Sequence, residues 1–386
     1  MEAVSHSISK LFRSGKRAKQ SSGLTEEVCR RFSLAEIKRA TNNFDKDLLI
    51  AEGGFISVEV YEGYIDDRTI YVAIKRLISK SRQDFDDLRN EVLLLCQLSH
   101  PNIVPVIGYC IDEPEIMIQV YKFMVNGSLR THLYGTNHDP LPWKKRLQIC
   151  VGVARGLHYL HAGVKHSIIH RNVKASNILL DEKWEAKLSD FAMSRMGPPS
   201  LSKKALMMVE SSVVGTYGYM APEYAIEGKL TDKSDIYSFG VLLLEVVCGR
   251  QALDNELVME EMHLSSWTRK CKREGTINQI IDPYLTGKIA PECFKIYMDI
   301  ATSCVRTKGT QRPSIGEVEV GLEHALQRQE SADLDPGIGG GDQYMYPILE
   351  YTGTDSPPDQ EDESVCESDS STSARLSLDT AMPIGQ

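Results

Sequence analysis

The chain has 386 residues, of which 42% are hydrophobic and 25% charged, with a formal net charge of −9. Those fractions exclude wholesale disorder and a fibrous repeat. The longest apolar stretch, near Val241–Cys248 and interrupted by Glu245, falls well short of the ~20 residues that a membrane span requires.

The charge is concentrated at the two ends. Residues 1–31 hold seven basic and three acidic side chains, and residues 331–386 hold twelve acidic side chains against Arg375 alone. The intervening body is nearly neutral, which argues against a nucleic-acid-binding face. Nine cysteines are dispersed without a C-x-x-C pair or a secretory leader, so they read as reduced thiols of a cytoplasmic protein, several of them small core residues.

Residues 1–31 read as a basic, solvated, disordered leader. Ile8, Leu11 and Phe12 among Lys10, Arg13, Lys16 and Arg17 leave peripheral contact with anionic lipid, or a nuclear address, as alternatives. The body is strand-rich first and helix-rich later. Val58–Gly63 and Ile70–Lys75 read as strands around the turn at Ile65–Arg68, and Met117–Met124 as another strand. Phe85, Leu88, Val92 and Leu95 recur at helical spacing, and helical patterns dominate from Trp143, including Ser234–Cys248. From Ser331 the chain becomes Gly-, Pro-, Ser- and acid-rich, with too little apolar surface to offset its ordering entropy. It reads as a disordered tail.

An ordered series of motifs carries the chemistry. Val72-Ala73-Ile74-Lys75 ends a strand and Glu91 follows on a helix. Then come His170-Arg171-Asn172-Val173-Lys174-Ala175-Ser176-Asn177, Asp190-Phe191-Ala192 and Ala221-Pro222-Glu223. Phosphoryl transfer is mostly positioning and charge neutralisation. Lys75 with Glu91 as ion-pair partner suits phosphates, and the oxygen-bearing pair Asn177 and Asp190 suits Mg²⁺.

In order and spacing the series resembles the protein-kinase signature set. The chain resembles plant receptor-like protein kinases, and within them the intracellular domain of the FERONIA type. Phe32-Ser33-Leu34-Ala35-Glu36-Ile37, Gly156-Leu157-His158-Tyr159-Leu160-His161 and Arg312-Pro313-Ser314 carry that resemblance over roughly 32–330. It implies an α+β, bilobed protein-kinase fold, with an N-lobe at about 45–125 and a C-lobe at about 126–330. It also implies ATP and Mg²⁺ as ligands, with active receptor-like kinases as partners of a cytoplasmic relative. Ala73 and Leu179 match positions that sandwich adenine, Tyr121 the gatekeeper and Met124 the end of the hinge. Phe191 and His170 match the hydrophobic spine, Glu223 and Arg312 a buried ion pair, and Asp235 the anchor of the central helix. Arg171 matches an arginine that pairs with a phosphorylated activation loop.

Three positions depart from that pattern. The base position is Asn172, whose amide lacks the basicity of a carboxylate. The glycine-rich loop retains Gly53, but its outer glycines are Ala51 and Ile56, with Glu59 and Val60 apparently inserted after it. Ala192 stands where glycine follows Asp-Phe. Together they point to a pseudokinase with weak ATP binding. The alternative is a low-activity serine/threonine kinase that uses Lys75, Asp190 and Lys174.

Overall fold

The computed structural model describes residues 29–53, 57–78, 81–112, 116–134, 139–199, 213–334 and 375–377. They divide into two compact units: the chain up to Ser99 with Val104–Phe123, and His100–Ile103 with the chain from Met124.

The first unit is a six-stranded sheet with two helices. In chain order its elements are β1 (Arg30–Arg31), α1 (Leu34–Ala40), β2 (Leu49–Gly53), β3 (Val58–Ile65), β4 (Ile70–Leu77), α2 (Arg82–Leu95), β5 (Val106–Asp112) and β6 (Ile116–Lys122). The strand order is β1-β5-β6-β4-β3-β2, antiparallel except for the β1–β5 pair. Alternation along β3 and β4 sends Tyr61, Ile65, Val72 and Ile74 to one face, where they bury against Phe32 and Ile37 of the α1 segment. Helix α1 starts at a capping box, with Ser33 N donating to Glu36 Oε2 at 2.7 Å. Helix α2 buries Asp84, Asp87, Leu88, Glu91, Val92 and Leu95, a stripe at i, i+3, i+4 spacing.

The second unit is mainly helical. Its larger helices are α3 (Leu129–Tyr134), α4 (Trp143–His158), α5 (Pro222–Glu227), α6 (Asp232–Cys248), α7 (Met259–Met262), α8 (Leu264–Glu274), α9 (Pro291–Cys304) and α10 (Ile315–Asp333). Short strands β7 (His166–Ile169), β8 (Ile178–Leu180), β9 (Ala186–Leu188), β10 (Arg195–Pro199) and β11 (Val214–Thr216) pair as β8–β9 and β10–β7. β11 pairs in parallel with β12 (Arg375–Ser377). Helix α6 is buried from Ser234 to Cys248, as befits a helix apolar on every side, and ends at Gly249 in the left-handed region. Among the described residues no helix is long and apolar enough to cross a membrane.

Several expectations are corrected. Cys29 and Cys96 form a disulfide, with Cα atoms 5.7 Å apart, because β1 runs back beside the end of α2; they are not free thiols here. Sheet pairing begins at Arg30, inside the segment read as leader. The first unit includes α1, which precedes the expected lobe boundary near 45. Helix α10 continues to Asp333, and Arg375–Ser377 is a strand rather than disordered chain. The rest of the leader and tail lies outside the described residues.

Gly240 of α6 marks the closest approach to the end of α9. A Cβ there would stand 2.5 Å from the Cys304 Cβ and 2.9 Å from Val305 Cγ1. Gly240→Ala is therefore expected to destabilise the protein by about 1–3 kcal/mol through overpacking. Urea denaturation should show a lower midpoint at unchanged slope; an unchanged midpoint would mean that the helices can part without cost.

Candidate active site

In the first unit, β4 holds Lys75 with Nζ 2.9 Å from Glu91 Oε2. Glu91 lies on the buried stripe of α2, with its side chain 1% exposed, so its charge needs compensation. Lys75 supplies part of it. Gln119 of β6 also donates from Nε2 to Glu91 Oε2 at 3.1 Å and to the Leu88 carbonyl at 3.0 Å. Tyr121 in turn donates its hydroxyl to Gln119 Oε1 at 2.6 Å. Tyr121, Gln119 and the Lys75–Glu91 pair thus belong to one hydrogen-bonded chain. Gln119 was not singled out in the sequence; a fully buried polar residue in a strand is the signal, but it becomes visible only once burial is known. Ala73 lies opposite Tyr121 in the β4–β6 ladder.

Gly53 ends β2 at φ +102°, a conformation suited to glycine. Gly54, Phe55 and Ile56 lie outside the described residues. The apparent insertion at Glu59 and Val60 is absorbed by β3, which pairs continuously with β4 from Val58, while the β2–β3 register shifts between Leu49 and Ala51. The Glu59 carboxylate is engaged locally: Oε2 accepts from Tyr61 Oη at 3.0 Å and lies 3.5 Å from Arg76 Nη1.

In the second unit the loop between β7 and β8 is fixed from beneath by Asp235. Its Oδ2 accepts from the His170 amide and its Oδ1 from the Arg171 amide, both at 2.8 Å, and His161 Nε2 lies 2.8 Å from Oδ2. Burial raises the Asp235 pKa, but the His161 hydrogen bond, the charges of His161 and His170 and the Arg171 amide outweigh it. The carboxyl ends below its usual range. His170 meets the Phe191 ring edge to face at 4.7 Å.

On this base sits a polar cluster. Asn172 Nδ2 donates to Asp190 Oδ2 at 2.7 Å. Asn172 Oδ1 accepts from the Thr216 hydroxyl at 3.2 Å, and that hydroxyl accepts from Lys174 Nζ at 3.0 Å. Asn177 Nδ2 donates to the Asn172 carbonyl at 2.8 Å and to Asp190 Oδ2 at 3.4 Å. Asn172, Lys174, Asn177 and Asp190 are therefore gathered in one cluster, and Thr216 is the member that motif reading did not place among them. Leu179 lies in β8 beside Ser128, and Met124 is buried and closes a turn to Gly127.

Two expectations need adjustment. Ala192 is absent from the described non-glycine residues at positive φ, so its Cβ imposes no strain in this conformation, whereas Asp190 is at φ +65°. Arg171 is buried, donating to the Met193 carbonyl at 3.0 Å and to the Tyr224 hydroxyl. Of the hydroxyl residues of the activation segment open to phosphorylation by another kinase, Ser200, Ser202, Ser211 and Ser212 lie outside the described residues and Thr216 is buried.

The profile of the family "Protein tyrosine and serine/threonine kinase" matches residues 46–322. The chain belongs to the protein kinase family. Its kinase domain is 50% identical over 312 residues to the receptor-like protein kinase FERONIA of Arabidopsis thaliana, a match covering 81% of this chain and 34% of that protein. It is 48% identical to the Arabidopsis receptor-like protein kinase ANXUR2 over 324 residues, covering 83% of this chain and 37% of ANXUR2. It is 47% identical to the Arabidopsis receptor-like protein kinase THESEUS 1 over 307 residues, covering 79% of this chain and 35% of THESEUS 1. The chain spans about a third of the length of the curated relatives it matches. The α+β protein-kinase fold and the FERONIA-type relationship are thus established.

Proposed function

We propose that the chain is a catalytically impaired kinase, a pseudokinase, that serves active receptor-like kinases as scaffold, allosteric partner or substrate at the cytoplasmic side of the membrane. The observation that carries this reading is Asn172. At the position of the catalytic base it presents an amide that donates to Asp190 at 2.7 Å and accepts from Thr216 at 3.2 Å. A carboxamide so engaged has no proton affinity to offer a substrate hydroxyl near pH 7. The basic leader adds peripheral contact with anionic lipid to the same proposal.

ATP and Mg²⁺ belong to the proposal as ligands that stabilise rather than react. Lys75, held by Glu91, is the cation for phosphate, and Ala73, Tyr121, Met124 and Leu179 would receive the adenine. Asp190 and Asn177 fit Mg²⁺ as a carboxylate and carboxamide pair, since that ion takes few protein ligands beside phosphates and waters. Asn177 would have to turn its amide oxygen inward, giving up the hydrogen bond to the Asn172 carbonyl. Bound Mg²⁺ would neutralise phosphate charge. Asn172 keeps Asp190 oriented, and Lys174 holds Thr216.

Ala51 and Ile56 weaken the backbone cover over phosphates, so a dissociation constant of order 10⁻⁴ M or looser is expected. At millimolar ATP this stabilises the fold by roughly 1–2 kcal/mol. A thermal-shift titration with ATP and Mg²⁺ should raise the Tm of the parent more than that of Lys75→Met. Equal absence of a shift in both at 5 mM would show that no nucleotide is bound.

The second reading, a slow serine/threonine kinase, is favoured by the 2.9 Å Lys75–Glu91 pair and by Lys174 and Asp190 being in place. Phosphate transfer to protein that Lys75→Met abolishes would select it.

A further inference from the structure

Cys29 lies one residue before β1, and Cys96 caps the C-terminal end of α2, the helix that carries Glu91. They are 67 positions apart in sequence and 5.7 Å apart at Cα, bonded to each other in this structure. We propose that Cys29 and Cys96 form a reversible redox-modification site for a small two-electron oxidant of the hydroperoxide class. Closure of this site ties the chain's N-terminal segment to the helix that positions Glu91.

Selectivity follows from the surroundings of the other thiols. The six further cysteines of the described residues are all buried. Burial pushes Cys110 up to about 11 and Cys150, Cys293 and Cys304 up to about 12, and raises Cys248 as well. Such groups hold almost no thiolate near pH 7 and do not react. Cys29 is buried as well, whereas Cys96 is only partly buried, so Cys96 is the member of the pair open to an oxidant. An oxidant therefore reaches Cys96 first.

The chemistry balances with one equivalent of hydrogen peroxide. The Cys96 thiolate attacks one peroxide oxygen, the O–O bond breaks, and the hydroxide released takes up a proton to leave as water. The Cys29 thiolate then attacks the Cys96 sulfur of the sulfenic acid and expels hydroxide, which is protonated to a second water. Two thiols are oxidised by two electrons and the peroxide is reduced to two waters. A cellular dithiol reverses the bond by exchange.

The mechanical consequence follows from position. β1 is itself hydrogen-bonded to β5, with Arg30 opposite Gly108. Closing the disulfide thus fastens the last turn of α2 to the sheet edge, one turn from Glu91. Reduction leaves the β1 ladder and the packing of α2 to hold the helix. Any effect on nucleotide rests on the function proposed above; the bond and its effect on α2 do not.

The test uses the full chain with Cys366→Ser, which removes the cysteine outside the described residues. Peroxide treatment near neutral pH, then alkylation and peptide mapping, should yield one intrachain link between Cys29 and Cys96 and a mass lower by two hydrogens. Either Cys29→Ser or Cys96→Ser should abolish it, and dithiothreitol should reverse it. Reduction of the otherwise unmodified chain should speed amide hydrogen exchange in 82–95 by at least about tenfold and lower the Tm by about 5 °C. Links to other cysteines, links between molecules, or irreversible over-oxidation without a link would overturn the site. A link that forms but leaves exchange in 82–95 unchanged would overturn the tie to α2. Because oxidised and reduced forms of one sequence are compared, poor folding of a serine variant does not obscure the result. An intact link with no ATP-induced shift would count against the nucleotide reading alone.

Discussion

Given ATP, Mg²⁺ and casein, the protein is expected to transfer phosphate at least about 10²-fold more slowly than an active receptor-like kinase domain, the lower end of what general-base help contributes. The cause is local. Asn172 donates its Nδ2 to Asp190 and accepts through its Oδ1 from Thr216, so the position beside Asp190 is an amide fixed at both ends. Asn172→Asp restores the missing carboxylate but places it where an N–H now meets Asp190 Oδ2 at 2.7 Å. Without a metal ion, two carboxylates at that distance cannot both ionise freely, and one pKa must rise. A carboxyl whose folded pKa is raised favours the fold below its unfolded value of about 4, and that advantage is lost as pH rises through the folded pKa. The Asn172→Asp variant should therefore be less stable than the parent at pH 8 by about 1–3 kcal/mol, with a smaller deficit at pH 5, and Mg²⁺ should recover part of the loss. On the proposed reading of Ala51 and Ile56, activity should stay well below that of the active relative, because positioning of the phosphates is a large part of the barrier. Radiolabelled transfer assays and urea midpoints at the two pH values measure both effects. Recovery of full turnover by this single change would make the loop substitutions irrelevant and leave Asn172 as the sole lesion.

Replacing Arg312 by Met should cost about 3–5 kcal/mol, enough to leave little of a typical domain's stability. The guanidinium is buried, with side-chain exposure of 0%, and grips Glu223 through two bonds of 2.6 and 2.7 Å. It also donates to the carbonyls of Arg306 at 2.8 Å, Lys233 at 2.9 Å and Thr307 at 3.0 Å. These partners come from α5, from the start of α6 and from the connection between α9 and α10, so one side chain satisfies groups on three segments. Its loss strands the Glu223 carboxylate and takes a donor from three carbonyls. The paired change Glu223→Leu with Arg312→Met should be milder than Arg312→Met alone, since no uncompensated charge then remains. Denaturant midpoints and soluble yield read the outcome. A loss below about 1 kcal/mol for Arg312→Met would show that water reaches the site and replaces the arginine.

Much of the site was legible because its residues carry their own local signals. Lys75 lies on an alternating strand that runs two residues beyond the end read from the sequence, to Leu77, and Glu91 is a charge on the buried stripe of a helix, a placement that calls for a partner. Asn172, Asn177 and Asp190 lie in short loops between strands and come together once those strands pair. Gln119 gave no comparable signal, and Thr216 read only as a hydroxyl of the activation segment. A glutamine within a strand and a threonine after a glycine are ordinary until burial shows that each must find hydrogen-bond partners. The pairing of Glu59 with Arg76 likewise depends on the β3–β4 register.

The sequence by itself determined the order of a sheet unit and a helical unit, through periods of two and of 3.6, and several helix starts. Ser33 with Glu36 and Ser314 with Glu317 are capping boxes in sequence and in space. Only the tertiary structure decided that Asn172 is bound to Asp190, that Cys29 meets Cys96, and that Arg375–Ser377 lies along β11. Periodicity and caps act within a few residues, where backbone geometry sets which side chains are neighbours. The three contacts join segments 18, 67 and about 160 positions apart. At such separations the closure entropy is offset by packing of the whole unit, and no local pattern records which partners that packing brings together.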